Sequence, residues 1–151
     1  MSQVVISSGS QISANAGATI ASQGGNAVDA AIAAALVSMG TDLGVMAPGA
    51  SGFITIWSPE KEPIVIDAYA EMPGRGLPSE RFGKGIREAW FDYGGMMSTG
   101  IGYGSVATPG MFAGLAMAAE QYGNLPWQKL LEPAYKLTRD GFPLTGGAAE
   151  Y

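Results

Sequence analysis

The sequence predicts an α+β or layered α/β fold, formed by one domain that covers residues 1–151 and is incomplete by itself. The first observation is the order of the predicted elements: a strand, two helices, a β-hairpin, a long irregular segment and further helices. The second is the composition, because 47% of the residues are hydrophobic and only 14% are charged. A typical globular domain has about 25% charged residues, so we expect more polypeptide to cover part of this surface.

The first forty residues predict a strand followed by two helices. The apolar run at residues 4–8 predicts a buried strand, and small residues with helical spacing predict a helix over 10–23 that ends at a pair of glycines. Asn26 is suited to cap a second helix, and Asp29 lies near the positive end of that helix dipole. The second helix, residues 27–38, is apolar on every side, so we expect it to be buried all round.

A β-hairpin and a long irregular segment form the middle of the chain. After a glycine-rich loop at 41–52, two strands are predicted over 53–57 and 64–69, joined by a polar turn. Residues 71–103 have no clean periodicity and predict a long surface excursion, with one short helix near residues 79–82. Long irregular segments of this kind are often functional.

The last third of the chain predicts mainly helices. Residues 104–108 predict a short strand, and Pro109 is suited to the first turn of the helix that follows. A further helical pattern begins at residue 125 and is interrupted at Pro133, which predicts either two helices or one kinked helix. Residues 145–151 have the character of the beginning of another element.

The absence of histidine and cysteine is the most informative feature of the composition. It excludes Ser-His-Asp triads, cysteine nucleophiles, thiolate zinc sites and disulfides. Chemistry must therefore use Ser, Thr, Tyr, Lys, Arg or carboxylate side chains, or come from other polypeptide. We predict no metal and no cofactor, because the glycine-rich residues 49–52 and 100–104 match phosphate-binding and dinucleotide-binding patterns only in part.

Charge and hydropathy argue against two classes of partner. The net charge is −5 and the eight basic residues are scattered, whereas nucleic acid binding favours a basic stripe. No apolar run reaches the roughly 18 residues that a membrane span needs. The N-terminus lacks the basic and apolar regions of a signal peptide. We therefore expect a cytoplasmic protein, or a periplasmic or secreted one whose signal peptide has been removed.

Candidate substrate contacts follow the second predicted strand. Side chains at a strand end are held rigidly, so we consider Tyr69, Glu71 and Arg75 as candidates for contact with a substrate. The alternative is a solvated strand exit that contains a salt bridge. Asp29 is interpreted as a structural residue, because capping explains its place without a catalytic role.

Three strings resemble the γ-glutamyltranspeptidase family, and they occur in that family's order at suitable spacing. They are GGNAVDAA at residues 24–31, GSVATPG at 104–110 and YGNLPW at 122–127. The resemblance implies an N-terminal-nucleophile hydrolase with a layered αββα sandwich, of which this chain is the N-terminal portion of the large subunit. It also implies a place in glutathione metabolism.

The resemblance implies that the catalytic nucleophile lies outside this chain. Members of the family are made as a precursor that cleaves itself, and the new N-terminal Thr of the small subunit is both the nucleophile and, through its amine, its own base. No catalytic residue is therefore expected here, and the chain alone is expected to be inactive. Its implied partners are the remainder of the large subunit, the small catalytic subunit and a small amide or γ-glutamyl substrate.

The sequence departs from the family where substrate specificity is set. Family transpeptidases have the string Asp-x-Arg-Glu-x-Ala-Pro after the second strand, and its Arg grips the α-carboxylate of the γ-glutamyl group in a selective bidentate pair. Aligned on Asp67 and Pro73, this sequence has Tyr69 at the Arg position and Ala70 at the Glu position. The family's glycine run before the first hairpin strand is also altered, to Gly-Ala-Ser-Gly.

This departure leaves three hypotheses about the activity. The first is a γ-glutamyltranspeptidase-like amide hydrolase or transferase in which Arg75 compensates for the missing Arg. The second is an amide hydrolase of the same family for a substrate that is not γ-glutamyl. The third is a homologue that keeps the fold without the chemistry.

Overall fold

The computed structural model describes residues 4–81 and 85–144. Within these ranges the chain forms four α-helices and two antiparallel β-hairpins, which confirms the predicted α+β class. The helices are α1 Gln11–Ser22, α2 Ala27–Thr41, α3 Met111–Tyr122 and α4 Trp127–Asp140. The strands are β1 Gly52–Ile56, β2 Ile64–Ala68, β3 Arg87–Asp92 and β4 Met96–Ile101.

Helix α2 lies at the centre of the described structure. It packs against α1, α3 and α4, and ten of its fifteen residues are buried, as its apolar sequence predicts. Its side chains Ile32, Ala33 and Leu36 join residues of α1, β2, α3 and α4 in one core. Burial of these apolar groups is the main stabilising term of such a core. No helix in the described part of the chain is both long enough and apolar enough to cross a membrane.

The predicted cap of α2 is present, and it extends to a distant part of the chain. The Asn26 Oδ1 accepts a hydrogen bond from the Asp29 backbone at 3.0 Å, and the Asp29 Oδ2 accepts one from the Asn26 backbone at 2.8 Å. The buried Asp29 carboxylate also accepts from the backbone N–H groups of Asn124 at 3.0 Å and Leu125 at 3.4 Å. The Asn26 amide donates to the Tyr122 carbonyl at 2.7 Å. These bonds, called the Asp29 clamp below, fix the α3–α4 connection to the start of α2.

Hairpin β1–β2 has one covered face and one exposed face. Ile54 pairs with Ile66 in the antiparallel register, and these inward side chains, with Ala68, lie under α2 and α3. Helix α3 approaches β2 closely, because a Cβ added at Gly114 would collide with the Ala68 side chain and one at Gly110 would collide with the backbone at the end of β2. The second family-like string and the start of α3 therefore need these two glycines to seat the helix on the strand.

Two predicted strands are wrong. Residues 4–8 form no strand in the structure; instead Ile6 packs over Gly17, and the Ser8 hydroxyl hydrogen-bonds to that of Ser13 at 2.6 Å. The apolar run is only partly buried, since Val5 is 96% exposed, and none of the described strands pairs with it. Residues 104–108 contain a turn of 3-10 helix and one β-bridge, between Thr108 and Glu71, instead of a strand.

The long excursion is more regular than the sequence suggests. It contains the hairpin β3–β4, whose turn uses Gly94 and Gly95 at positive φ. Almost all residues of both strands are exposed, so neither strand has the alternation of polar and apolar residues by which a half-buried strand is identified. The short helix predicted near residues 79–82 is present as a 3-10 turn over Ser79–Arg81.

The helix boundaries near the C-terminus need smaller corrections. Helix α3 begins at Met111 rather than at Pro109. Pro133 lies inside α4, which is one helix over Trp127–Asp140 and not two. The element expected over 145–151 lies outside the described residues.

We expect Asp29→Asn to lower the free energy of unfolding of the full-length protein by roughly 2–4 kcal/mol, because an amide accepts more weakly and turns a donor group toward buried N–H groups. Thermal and urea denaturation would measure this change. The matched control is Asp92→Asn, at an exposed position of β3, which should change stability by less than about 0.5 kcal/mol. Equal effects of the two substitutions would contradict the clamp.

We expect Gly114→Ala to destabilise the protein by about 1–3 kcal/mol, because the added methyl overpacks the contact with Ala68. The control is Gly40→Ala in α2, where the nearest atom, the Thr138 Oγ1, would lie at an ordinary 3.6 Å from the new Cβ. That control should be neutral or stabilising by up to about 1 kcal/mol, since Ala favours helix more than Gly does. The same denaturation measurements compare the two variants. A Gly114→Ala protein as stable as the wild type would contradict the prediction, because it would show that α3 can shift away from β2 at no cost in free energy.

Candidate functional site

The three candidate residues lie where β2 ends and the chain leaves the sheet. Tyr69 is the first residue after β2, and its backbone N–H donates to the Asp67 Oδ1 at 3.0 Å. Glu71 pairs with Thr108 through two backbone hydrogen bonds, at 3.0 and 2.7 Å. The strand exit is therefore fixed by a bridge to the second family-like string, as expected for side chains that must be held in place.

Tyr69 belongs to an aromatic pair that sequence reasoning did not identify. Its ring stacks on that of Phe53, with centroids 5.6 Å apart and planes inclined by 14°. Both side chains are well exposed, Phe53 at 62% and Tyr69 at 59%. The register of β1–β2 places Phe53 opposite Asp67, and diagonal neighbours in a sheet lie within reach of aromatic side chains. The register of the two predicted strands would have been enough to identify Phe53 as a neighbour of Tyr69.

The stacked pair lies on the exposed face of hairpin β1–β2. Because successive side chains of a strand point to opposite faces, the residues that alternate with the buried ones share this side. We call this surface the outer face, formed by Phe53, Thr55, Trp57, Val65, Asp67 and Tyr69. It carries three aromatic side chains and one carboxylate, and α3 packs on the opposite face.

Arg75 and Glu71 form an ion pair beside this face. The Arg75 guanidinium donates to both carboxylate oxygens of Glu71, with a distance of 3.2 Å from Nε to Oε1. The two side chains are 79% and 54% exposed. Gly74 and Gly76 adopt positive φ on either side of Arg75, which glycine tolerates without strain. Glu71 and Arg75 thus form the exposed salt bridge that the alternative interpretation of the sequence, a solvated strand exit, predicts.

The contacts divide the candidates into two groups. Tyr69 is joined to Phe53 by stacking, and Arg75 to Glu71 by hydrogen bonds. Helix α4 has ion pairs of its own, in which Lys136 and Lys129 lower the pKa of the exposed Glu132. Those pairs are surface interactions of a helix and do not take part in the strand exit.

Comparison with known proteins identifies the family. A sequence model of the gamma-glutamyltranspeptidase family matches residues 13–151. The chain belongs to this family. It is 35% identical over 129 residues to glutathione hydrolase proenzyme 2 of Schizosaccharomyces pombe, a match that covers 85% of this chain and 19% of the relative. The chain spans about a fifth of the length of the curated relatives that it matches, with 19–22% of each covered.

Solved structures confirm the predicted fold. The chain superimposes on a gamma-glutamyltranspeptidase from Pseudomonas nitroreducens complexed with L-DON with a TM-score of 0.75 and 24% identity, covering 100% of this chain and 43% of that one. The cephalosporin acylase of Bacillus halodurans gives a TM-score of 0.73 at 28% identity, covering 93% of this chain and 24% of that one. The predicted class, an αββα sandwich of the N-terminal-nucleophile hydrolase type with this chain as a part, is thereby confirmed.

We expect Arg75→Ala to change the stability of the full-length protein by less than about 1 kcal/mol, because an exposed ion pair contributes little to folding. Thermal denaturation would measure this, with Arg81→Ala in the neighbouring exposed turn as the control. A loss well above that of Arg81→Ala would mean that the pair with Glu71 is needed to hold the strand exit. A small loss would allow kinetic effects of Arg75→Ala to be assigned to substrate contact.

Proposed function

We propose that this chain is the N-terminal portion of the large subunit of an autoprocessed amide hydrolase or transferase, and that it is inactive by itself. The observation that carries the proposal is the family match over residues 13–151. The chain would supply the scaffold and one wall of the substrate pocket, formed by the strand exit at Tyr69, Glu71 and Arg75. The reaction would be acyl transfer from an amide to water or to an amine.

The nucleophile in this proposal is an N-terminal Thr supplied by sequence outside the chain. Its hydroxyl attacks the amide carbonyl, and its free α-amine accepts the hydroxyl proton, so that neither His nor Cys is needed. The absence of both residue types from all 151 positions agrees with such a mechanism. The name of the yeast relative, a proenzyme, describes a precursor that needs activation.

The proposed partners are the remainder of the large subunit and the small catalytic subunit. Large apolar side chains stand exposed on the outer face and on hairpin β3–β4, among them Trp57, Trp90, Phe91 and Met96. Contiguous exposed apolar surface usually marks an interaction site. About four-fifths of the length of the matched relatives has no counterpart in this chain, which is enough polypeptide to cover these surfaces.

Two substrate classes follow from the strand exit. The relatives named glutathione hydrolases favour a γ-glutamyl amide, in which case Arg75 would have to exchange Glu71 for the substrate carboxylate. Two points favour a different amide: the family resemblance aligns Tyr69 with the gripping Arg, and a cephalosporin acylase is 28% identical to this chain. If the full-length enzyme cleaves a γ-glutamyl anilide at the same rate with Arg75→Ala, the compensating role of Arg75 is wrong.

Intact mass spectrometry of the purified full-length protein tests the proposed chemistry. We expect two chains whose masses sum to that of the precursor plus one water, because cleavage hydrolyses one peptide bond, and the smaller chain should begin with Thr. Replacing that Thr with Ala should leave a single chain and abolish amide hydrolysis, because the hydroxyl nucleophile is lost and the uncleaved peptide bond leaves no free α-amine to act as base. Replacement of the next Thr along the chain is the control. A single uncleaved chain in the wild type would instead support the non-catalytic homologue.

A further inference from the structure

We propose that the stacked rings of Phe53 and Tyr69 bind the acyl part of the substrate, and that this acyl group is apolar or aromatic and lacks an α-carboxylate. This inference rests on the proposed amide hydrolase or transferase and specifies its substrate class. The two rings are nearly parallel, with centroids 5.6 Å apart, and both residues are about 60% exposed. A flat aromatic surface of this kind favours contact with another apolar or aromatic group.

The layered fold places this pair toward the space between the two sheets. Helix α3 packs on the inner face of hairpin β1–β2, and side chains of α2 join Ile66 in the same core. In an αββα sandwich a sheet has helices on one side and the other sheet on its opposite side, about 10 Å away. In that arrangement the outer face would look toward a second sheet formed by polypeptide outside this chain, and Tyr69, one residue beyond Ala68 at the end of β2, would lie at the edge of that space.

The charges around Tyr69 disfavour an anionic substrate group. Asp67 accepts a hydrogen bond from the Tyr69 backbone, and Glu71 and Arg75 follow Tyr69 within six residues along the chain, so that this segment has two carboxylates and one guanidinium. The guanidinium already donates to both oxygens of Glu71. An α-carboxylate brought here would meet net negative charge and would have to displace Glu71, whereas a neutral ring would meet Phe53 and Tyr69 without losing a partner. A charge desolvated without a partner is strongly disfavoured.

The hydroxyl of Tyr69 could also contribute a hydrogen bond to the substrate. An exposed tyrosine presents an apolar ring together with a hydroxyl that donates or accepts a hydrogen bond. At the rim of the pocket the ring would take the acyl group, and the hydroxyl could bond to a polar atom of the same substrate. Phe53 has no polar atom on its side chain, and its role is to support the Tyr69 ring by stacking.

The test compares two p-nitroanilides, phenylacetyl and γ-glutamyl, with the processed full-length enzyme. We expect kcat/KM for the phenylacetyl anilide to exceed that for the γ-glutamyl anilide. Tyr69→Leu keeps an apolar side chain without the ring face and should reduce the phenylacetyl value about three- to tenfold. Tyr69→Arg should shift the preference toward the γ-glutamyl anilide by at least about tenfold, because Arg pairs with the α-carboxylate. The control is Tyr93→Leu, an equally drastic change at an exposed turn, which should leave the ratio unchanged.

A wild type that prefers the γ-glutamyl anilide would overturn the proposal. So would an equal fall for both anilides in Tyr69→Leu, since that would show Tyr69 to be a packing residue beneath the second sheet. Calorimetry measures the binding of phenylacetamide and of L-glutamine without requiring turnover. It can therefore be applied to folded variants that hydrolyse neither anilide. Weaker binding of phenylacetamide than of L-glutamine would also overturn it. If neither anilide is cleaved while phenylacetamide binds in a Tyr69-dependent manner, the proposed hydrolase fails and the aromatic site stands.

Discussion

The buried carboxylate of Asp29 is the interaction on which the rest of this structure depends. It joins the first family-like string to the third, by hydrogen bonds between residues 95 and 96 positions apart. Buried carboxylates are tolerated when N–H donors surround them, and here Asn26, Asn124 and Leu125 provide those donors. Gly123 leaves no room for a side chain, because an added Cβ would lie 2.6 Å from the Asp29 Oδ1. The glycine and the carboxylate thus require each other, which explains why both strings need their particular residues.

The clamp sets the position of the candidate site through helix α3. Since the clamp fixes the end of α3 at Tyr122, the start of that helix is placed one helix length away, over the end of β2. There Gly110 and Gly114 allow backbone and Cβ contacts with Ala68 and Tyr69 that a larger residue would prevent. The bridge from Glu71 to Thr108 then fixes the chain beyond the strand. The path of the backbone at Tyr69 is therefore set by the close packing of Gly110 against it and by the bridge that follows.

Local patterns in the sequence were sufficient to predict the helices and the first hairpin. They were insufficient to predict features that depend on residues distant in the sequence. The Asn26 and Asp29 cap is a three-residue spacing and was predicted, whereas the donors from Asn124 and Leu125 carry no local signal. The strand expected at residues 4–8 was wrong because an apolar run establishes neither pairing nor burial by itself, and here Val5 is exposed. Hairpin β3–β4 was missed because strands exposed on both faces lack alternation. In the candidate site, the strand end identified Tyr69, Glu71 and Arg75, but their grouping needed the register that brings Phe53 beside Tyr69.

The two groups at the strand exit differ in how easily they can respond to a ligand. The Arg75 and Glu71 pair is exposed and contributes little to folding, so its partners can be exchanged at small cost. The Phe53 and Tyr69 stack is built on paired strands whose other face packs against α3, so its rings are preorganised. Preorganised groups lose less entropy on binding and therefore give more affinity for each contact. In the proposed site the stack would therefore be the better foundation for specificity, and the ion pair would be better suited to adjust to the group that the stack binds.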